Sequence, residues 1–167
     1  MIVLIHDLPQ EKEKQLLASY QNPPLVVADN GTILHCLGCF GCWTKEPGIC
    51  ILEDRYRKNG ALLGSAKEVH IVSRCFYGGF SPFIKNVLDR SISYVHPDFC
   101  LRQGRTHHRL RYHPPFSLRL WFYGRSITAA ERATAKKLAR ANSINMGCSL
   151  ESVIFTEDIL SAVGGSF

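Results

Sequence analysis

The stretch Glu68-Val69-His70-Ile71-Val72-Ser73-Arg74-Cys75-Phe76-Tyr77-Gly78-Gly79-Phe80-Ser81-Pro82-Phe83-Ile84-Lys85-Asn86-Val87-Leu88-Asp89-Arg90-Ser91-Ile92 places a strand, a glycine turn and a helix in immediate succession. Glu68 to Ser73, with the β-branched Val69, Ile71 and Val72, reads as a strand. Ser81 reads as an N-cap, Pro82 takes the first helical position, and apolar residues then recur at helical spacing. A strand that hands over directly to a helix is half of a βαβ unit and predicts a parallel sheet.

The same alternation extends in both directions. Upstream, Met1 to Ile5 is a buried strand, Gln10 to Ala18 a short helix with Pro9 before it, and Leu25 to Ala28 a second strand. Downstream, Ser117 to Tyr123 is the fourth strand, and Thr128 with Glu131 three residues on forms a capping box for a helix to Asn142. Ser152 to Phe155 is the fifth strand. Residues 96–115 are polar, basic and proline-bounded, and read as a long connection. Right-handed crossovers then give an α/β fold: a doubly wound, five-stranded parallel sheet of order 2-1-3-4-5 in three layers, with residues 1–167 as one domain. In such a sheet ligands bind beyond the carboxyl ends of the strands near the switch point, at the loops after strands one, three and four.

Composition narrows the function classes. A chain with 46% hydrophobic and 20% charged residues is globular rather than disordered. No apolar run reaches the length of a membrane span and the opening residues lack the form of a leader, so neither a membrane nor export is expected, and the expected location is the cytoplasm. The formal charge of +6 has its surplus between Arg102 and Arg125. It comes without a zinc-finger, RNP or helix-turn-helix signature, so nucleic acid is not an expected partner.

Four of the seven cysteines stand in Cys36-Leu37-Gly38-Cys39-Phe40-Gly41-Cys42-Trp43-Thr44-Lys45-Glu46-Pro47-Gly48-Ile49-Cys50. Such crowding in a chain with no export signal disfavours a disulfide framework. Two gaps of two residues and one of seven allow a looping backbone to turn Cys36, Cys39, Cys42 and Cys50 toward one centre, as in compact iron–sulfur motifs. Soft thiolates also suit zinc, and free cysteines also pack as inert or redox-active thiols, so all three readings stand.

A second constellation is Cys75-Phe76-Tyr77-Gly78-Gly79-Phe80-Ser81, where the third strand passes into its helix. Paired glycines admit a flat ligand close to the backbone, aromatic rings offer faces, and the helix N-terminus offers amide donors. Tyr123 and Gly124, after strand four, belong to the same rim. The basic segment with Arg102, Arg105, His107, His108, Arg109, Arg111 and His113 is either a phosphate contact or a solvated loop face.

At these motifs the chain resembles the flavodoxin-like NAD(P)H-dependent FMN reductase family, in particular its iron–sulfur flavoprotein branch. The likeness runs through Cys36 to Trp43, Pro47 to Cys50, Tyr77 to Phe80 and Ile84 to Arg90, and continues less specifically through His107-His108, Arg111-Tyr112 and Thr128 to Asn145. It implies FMN at the strand ends, held by Cys75 to Ser81 with Tyr123 and Gly124, and a 4Fe-4S cluster on Cys36, Cys39, Cys42 and Cys50. It also implies a nicotinamide dinucleotide or redox-protein donor, and assembly into a homo-oligomer.

One segment departs from the family. After strand one the family carries a glycine- and hydroxyl-rich loop for the FMN phosphate, whereas this chain has His6-Asp7-Leu8-Pro9-Gln10-Glu11-Lys12. Carboxylates repel a dianion, so either Lys12, Lys14 or an arginine compensates, or the flavin is held weakly or not at all. Two function classes follow: a flavin-dependent oxidoreductase, or a non-catalytic binding module on the same fold, with a zinc-bound cysteine loop as a further variant.

Overall fold

The computed structural model describes residues 1–163. Its strands are β1 (Ile2–His6), β2 (Leu25–Ala28), β3 (Glu68–Arg74), β4 (Val95–Arg102), β5 (Arg105–Leu110), β6 (Ser117–Tyr123) and β7 (Ser149–Thr156). Five of them pair in parallel in the order β2-β1-β3-β6-β7. Counting only that sheet, this is the predicted order 2-1-3-4-5. The helices are α1 (Gln10–Leu17), α2 (Gly41–Thr44), α3 (Asn59–Ser65), α4 (Pro82–Arg90), α5 (Ala129–Met146) and α6 (Ile159–Val163).

Alternation along the strands sends side chains to two separate cores. Val3, Ile5, Val69, Ile71, Leu118, Leu120 and Phe122 pack on one face with Leu63 of α3, Phe83, Ile84 and Val87 of α4, and Ala135 and Ala139 of α5. Leu4, Val72 and Trp121 face the other way, onto Leu16 and Tyr20 beside α1 and Ile159 of α6. Central strands therefore read as continuous apolar runs because neither face meets water. Each large side chain so enclosed contributes about 1.5–3 kcal/mol of transfer free energy.

Capping fixes where the helices begin. Ser81 Oγ accepts the Ile84 amide at 3.4 Å, with Pro82 opening α4. Thr128 and Glu131 form the reciprocal box that opens α5, and Gly147 at φ 63° caps it after Met146, four residues beyond the predicted Asn142.

Residues 96–115 are not an irregular connection. They contain most of an antiparallel hairpin in which Phe99 faces His108 and Arg102 faces Arg105. Gln103 and Gly104, at φ 53° and 74°, make its two-residue turn, the mirror-image geometry whose twist matches paired strands. Gln in place of the usual Asn or Asp, and basic side chains in place of apolar alternation, hid the pairing. Helix α3 was equally silent, since Gly60 and Gly64 lower helix propensity.

Candidate functional site

A crevice of about 960 Å³ opens between the cysteine loop, the outer side of α4, the last turns of α5 and the β4–β5 hairpin. Cys36, Cys39, Cys42 and Cys50 all line it, and so do Gly79 and Phe80 from the turn after β3. The two sequence motifs thus meet at one cavity.

The cysteine loop is anchored from several sides. Trp43 donates its indole N–H to the carbonyls of Ile92 (3.2 Å) and Val95 (2.9 Å), which seats α2 on the 3-10 turn Ile92–Tyr94. Its ring stacks on Phe40 and leans on His108, with centroids 5.3 and 4.8 Å away. Arg90 reaches both ends of the loop, donating to the Leu34 carbonyl (2.8 Å) and to both carboxylate oxygens of Asp54 (2.7 and 2.8 Å). Burial works to raise the Asp54 pKa, yet the Arg90 hydrogen bonds and the Leu34 and Tyr56 amides hold it below the usual carboxylate range.

Cys36 and Cys39 are exposed, Cys50 is half-buried and Cys42 is buried. Burial pushes the Cys42 thiol up, and the neighbouring Cys50, Cys36 and Cys39 push it further. The four thiols are therefore close enough to influence one another. Among the described residues, however, no group of three or more His, Cys, Asp or Glu side chains is arranged to hold a metal ion. The predicted metal set Cys36, Cys39, Cys42 and Cys50 shares one wall of the crevice, and neither a cluster nor a zinc site is shown there.

The predicted ring-binding segment is divided. Phe76 and Gly79 exchange both backbone hydrogen bonds (2.9 and 2.8 Å) across Tyr77 and Gly78, which have φ of 51° and 76°. Gly78 is needed there twice over, for its positive φ and because a Cβ would lie 2.9 Å from the Glu131 carbonyl oxygen on α5. Gly79 and Phe80 face the crevice, whereas Tyr77 is 86% exposed and stands on the outer rim with Phe76 edge-on beside it. Cys75 packs toward the core, its amide bonded to the Tyr123 carbonyl (2.8 Å), and Ser81 is buried as the helix cap. Tyr123 turns its hydroxyl to the Asp7 carbonyl (3.4 Å), and the Gly124 amide bonds to Thr156. Tyr123 and Gly124 thus hold the rim together and stay out of the crevice lining.

Tyr94, which the sequence reading did not select, and His107 and His108, which it placed in the basic segment as a phosphate contact or a solvated face, complete the cavity. Tyr94, 2% exposed, lines it, while its hydroxyl is buried without a hydrogen-bond partner and burial pushes its pKa up to about 12. His107 Nδ1 bonds to Asn145 Oδ1 (3.0 Å), which leaves Nε2 unpartnered. His108 lies between Trp43 and Phe99 with Nδ1 unpartnered. Of the basic segment, Arg102 is spent on the Ile144 carbonyl and Arg111 on that of Ser93, while Arg105, Arg109 and His113 are exposed.

The loop after β1 is closed by its own groups. Asp7 accepts the Arg74 amide on both carboxylate oxygens (3.2 and 3.0 Å), and the Leu8 amide donates to His6 Nδ1 (3.2 Å). Pro9 precedes α1 with no side-chain cap, and Glu11 and Glu13 occupy the first turn. His6 is buried, with Nε2 3.7 Å from Glu13, and burial lowers its pKa despite that carboxylate and Asp7.

Among solved structures, the chain aligns over 99% of its length with an azoreductase from Bacillus anthracis str. Sterne, at TM-score 0.64 and 12% identity over 95% of that protein. It also aligns over 99% of its length with azoreductase AzrA, at 0.63 and 11% over 91% of that chain. The fold is flavodoxin-like. A third flavodoxin-like neighbour, general stress protein 14 from Treponema denticola, was solved in complex with FMN and matches at 0.51 and 10% identity, covering 99% of this chain and 92% of that one. No family model and no curated protein matches the sequence.

A flavodoxin-like chain invites a test of how flavin would fit. The ring half fits: an aromatic-lined crevice beside a glycine backbone. The phosphate half does not fit the loop after β1, where carboxylates stand in place of hydroxyls. No helix among the described residues is long and apolar enough to cross a membrane.

Proposed function

We propose that this chain is a flavin-dependent oxidoreductase that seats the ring of FMN against the turn Phe76 to Ser81, facing the thiol-lined crevice. It acts as one domain in the cytoplasm, takes electrons from a reduced nicotinamide or a redox protein, and assembles with further copies of itself. The observation that carries this reading is the single cavity shared by Gly79, Phe80 and the four cysteines.

A bound flavin supplies hydride or single-electron chemistry, and the protein's share is to bind, orient and shield. Gly79 brings backbone to the cavity edge, and Phe80, stacked on Phe122 at 5.3 Å, gives a rigid aromatic wall. Tyr94 adds a buried aromatic side chain to the lining. Phe99, Phe40 and Leu138 limit water on the remaining sides.

The test is anaerobic purification followed by addition of FMN, recording the two visible flavin bands, their bleaching by NADH or NADPH, and the iron and zinc content. Stoichiometric flavin that bleaches with reduced nicotinamide is the expected result. A protein that retains no flavin and consumes no reduced nicotinamide overturns the reading. The second reading, a binding module without catalysis, is favoured by the carboxylate-closed loop after β1 and would show that second result.

A further inference from the structure

We infer that this protein recognises a flavin by its ring and gives its 5′-phosphate no favourable seat, so that phosphate-free riboflavin binds at least as tightly as FMN. The inference rests on the flavin reading above and concerns a different part of the ligand.

In open parallel sheets an anionic phosphate is normally met by the loop after the first strand, through backbone amides and the positive end of the following helix. Here each of those resources is already used or opposed. The Leu8 amide is taken by His6, and Pro9 has no amide to give. Leu8, 3% exposed, packs into the core cluster beneath α1 and cannot yield space without leaving it. The Asp7 carboxylate lies between the carboxyl ends of β1 and β3 and holds the Arg74 amide.

Charge points the same way. Glu11 and Glu13 occupy the first turn of α1, where the helix would otherwise attract an anion. His6 adds no positive charge, being buried and neutral. The cations on or beside this loop are Lys12 and Lys14 of α1 and Arg74, whose guanidinium lies 5.9 Å from the centroid of the Phe76 ring. Asp7, Glu11 and Glu13 match them in number, so the loop offers no net positive charge to a phosphate that itself carries about −1.5 to −2 at neutral pH.

The ring end is separate from this loop. Gly79 and Phe80 line the crevice, whose lining includes no residue of the loop after β1.

Equilibrium dialysis of the flavin-free full-length chain against riboflavin and against FMN, at low and at high salt, tests the inference. The expected result is a riboflavin Kd equal to or below that of FMN, with FMN weaker by up to about tenfold at low salt and the gap narrowing as salt screens the repulsion. Glu11→Lys, at an exposed site, should tighten FMN by about threefold or more and leave riboflavin unchanged. FMN binding about tenfold tighter than riboflavin overturns the inference while sustaining the flavin reading. Failure of both flavins to bind overturns the reading itself, and the inference with it.

Discussion

Arg90 and Asp54 form a two-pronged ion pair, 2.7 and 2.8 Å, with side chains 0% and 9% exposed. The pair joins the end of α4 to the segment just past Cys50, and the same guanidinium holds the Leu34 carbonyl just before Cys36. Both ends of the cysteine loop are thereby fixed to one side chain.

Removing one partner leaves the other charged and buried, which costs about 3–5 kcal/mol. Arg90→Met and Asp54→Asn should each lower the urea midpoint by the equivalent of that loss, and the double variant Arg90→Met/Asp54→Leu should recover part of it. Single variants that unfold at the wild-type midpoint would show that the pair is not a structural tie.

The same pair sets an acid limit. The folded state holds the Asp54 carboxyl below its usual range, chiefly through Arg90 set against burial. Its contribution is present above the unfolded carboxylate pKa of about 4 and is lost as pH falls through the lower folded value. Denaturation midpoints measured stepwise below pH 5 should fall, and fall less in the double variant.

Two buried histidines act at milder pH. Burial lowers the pKa of His6 and of His70, with Glu13 and Asp7 opposing at the first and Glu68 at the second. The unfolded chain therefore binds more protons as pH drops below about 6.5, and stability is lost from there down through the folded values. The melting temperature should be lower at pH 5.5 than at pH 7.5, with a smaller difference in His70→Gln. A melting temperature that rises on acidification contradicts this.

Thiol reactivity should divide by position. Cys36 and Cys39 are exposed and should react first with an aromatic disulfide at pH 7.5. Burial raises the Cys42 thiol and pushes Cys148 up to about 12, so both should react only after denaturant is added. A Cys36→Ser/Cys39→Ser variant that keeps the fast phase would refute the placement of the loop.

Gly78 and Gly79 should differ although they are neighbours. Ala at 78 meets both a positive φ and the α5 backbone, a strain of about 1–3 kcal/mol. Ala at 79 meets the Phe76 carbonyl at 3.3 Å and a Leu138 methyl at 3.9 Å, at a backbone φ that is not positive. Thermal unfolding should therefore rank Gly78→Ala as the more damaging change, and the reverse order would mean that the turn is not seated on α5.

The parallel sheet was legible because its signals are local. Apolar runs such as Val69 to Val72, the Ser81-Pro82 cap and the Thr128/Glu131 box each act within a few residues. The cavity was legible only in part, because its walls are joined over long separations: Trp43 to Val95, Arg90 to Leu34, Trp43 to His108. One trace of this was readable. Arg90 stands at the spacing of Phe83 and Val87, so a cation was already placed on the buried face of α4. Tyr94 gave no such trace, and the histidines of the hairpin were legible only as part of a basic segment, because the turn at Gln103 hid their pairing.

Trp43 bonds to the floor beneath the thiols, while Trp121 lies 1% exposed under the opposite face of the sheet. The only two indoles in the chain thus stand on separate layers. Replacing either by Phe leaves one intrinsic emitter, so that loosening of the cysteine loop and melting of the distal layer become separately observable as emission shifts in an unlabelled protein.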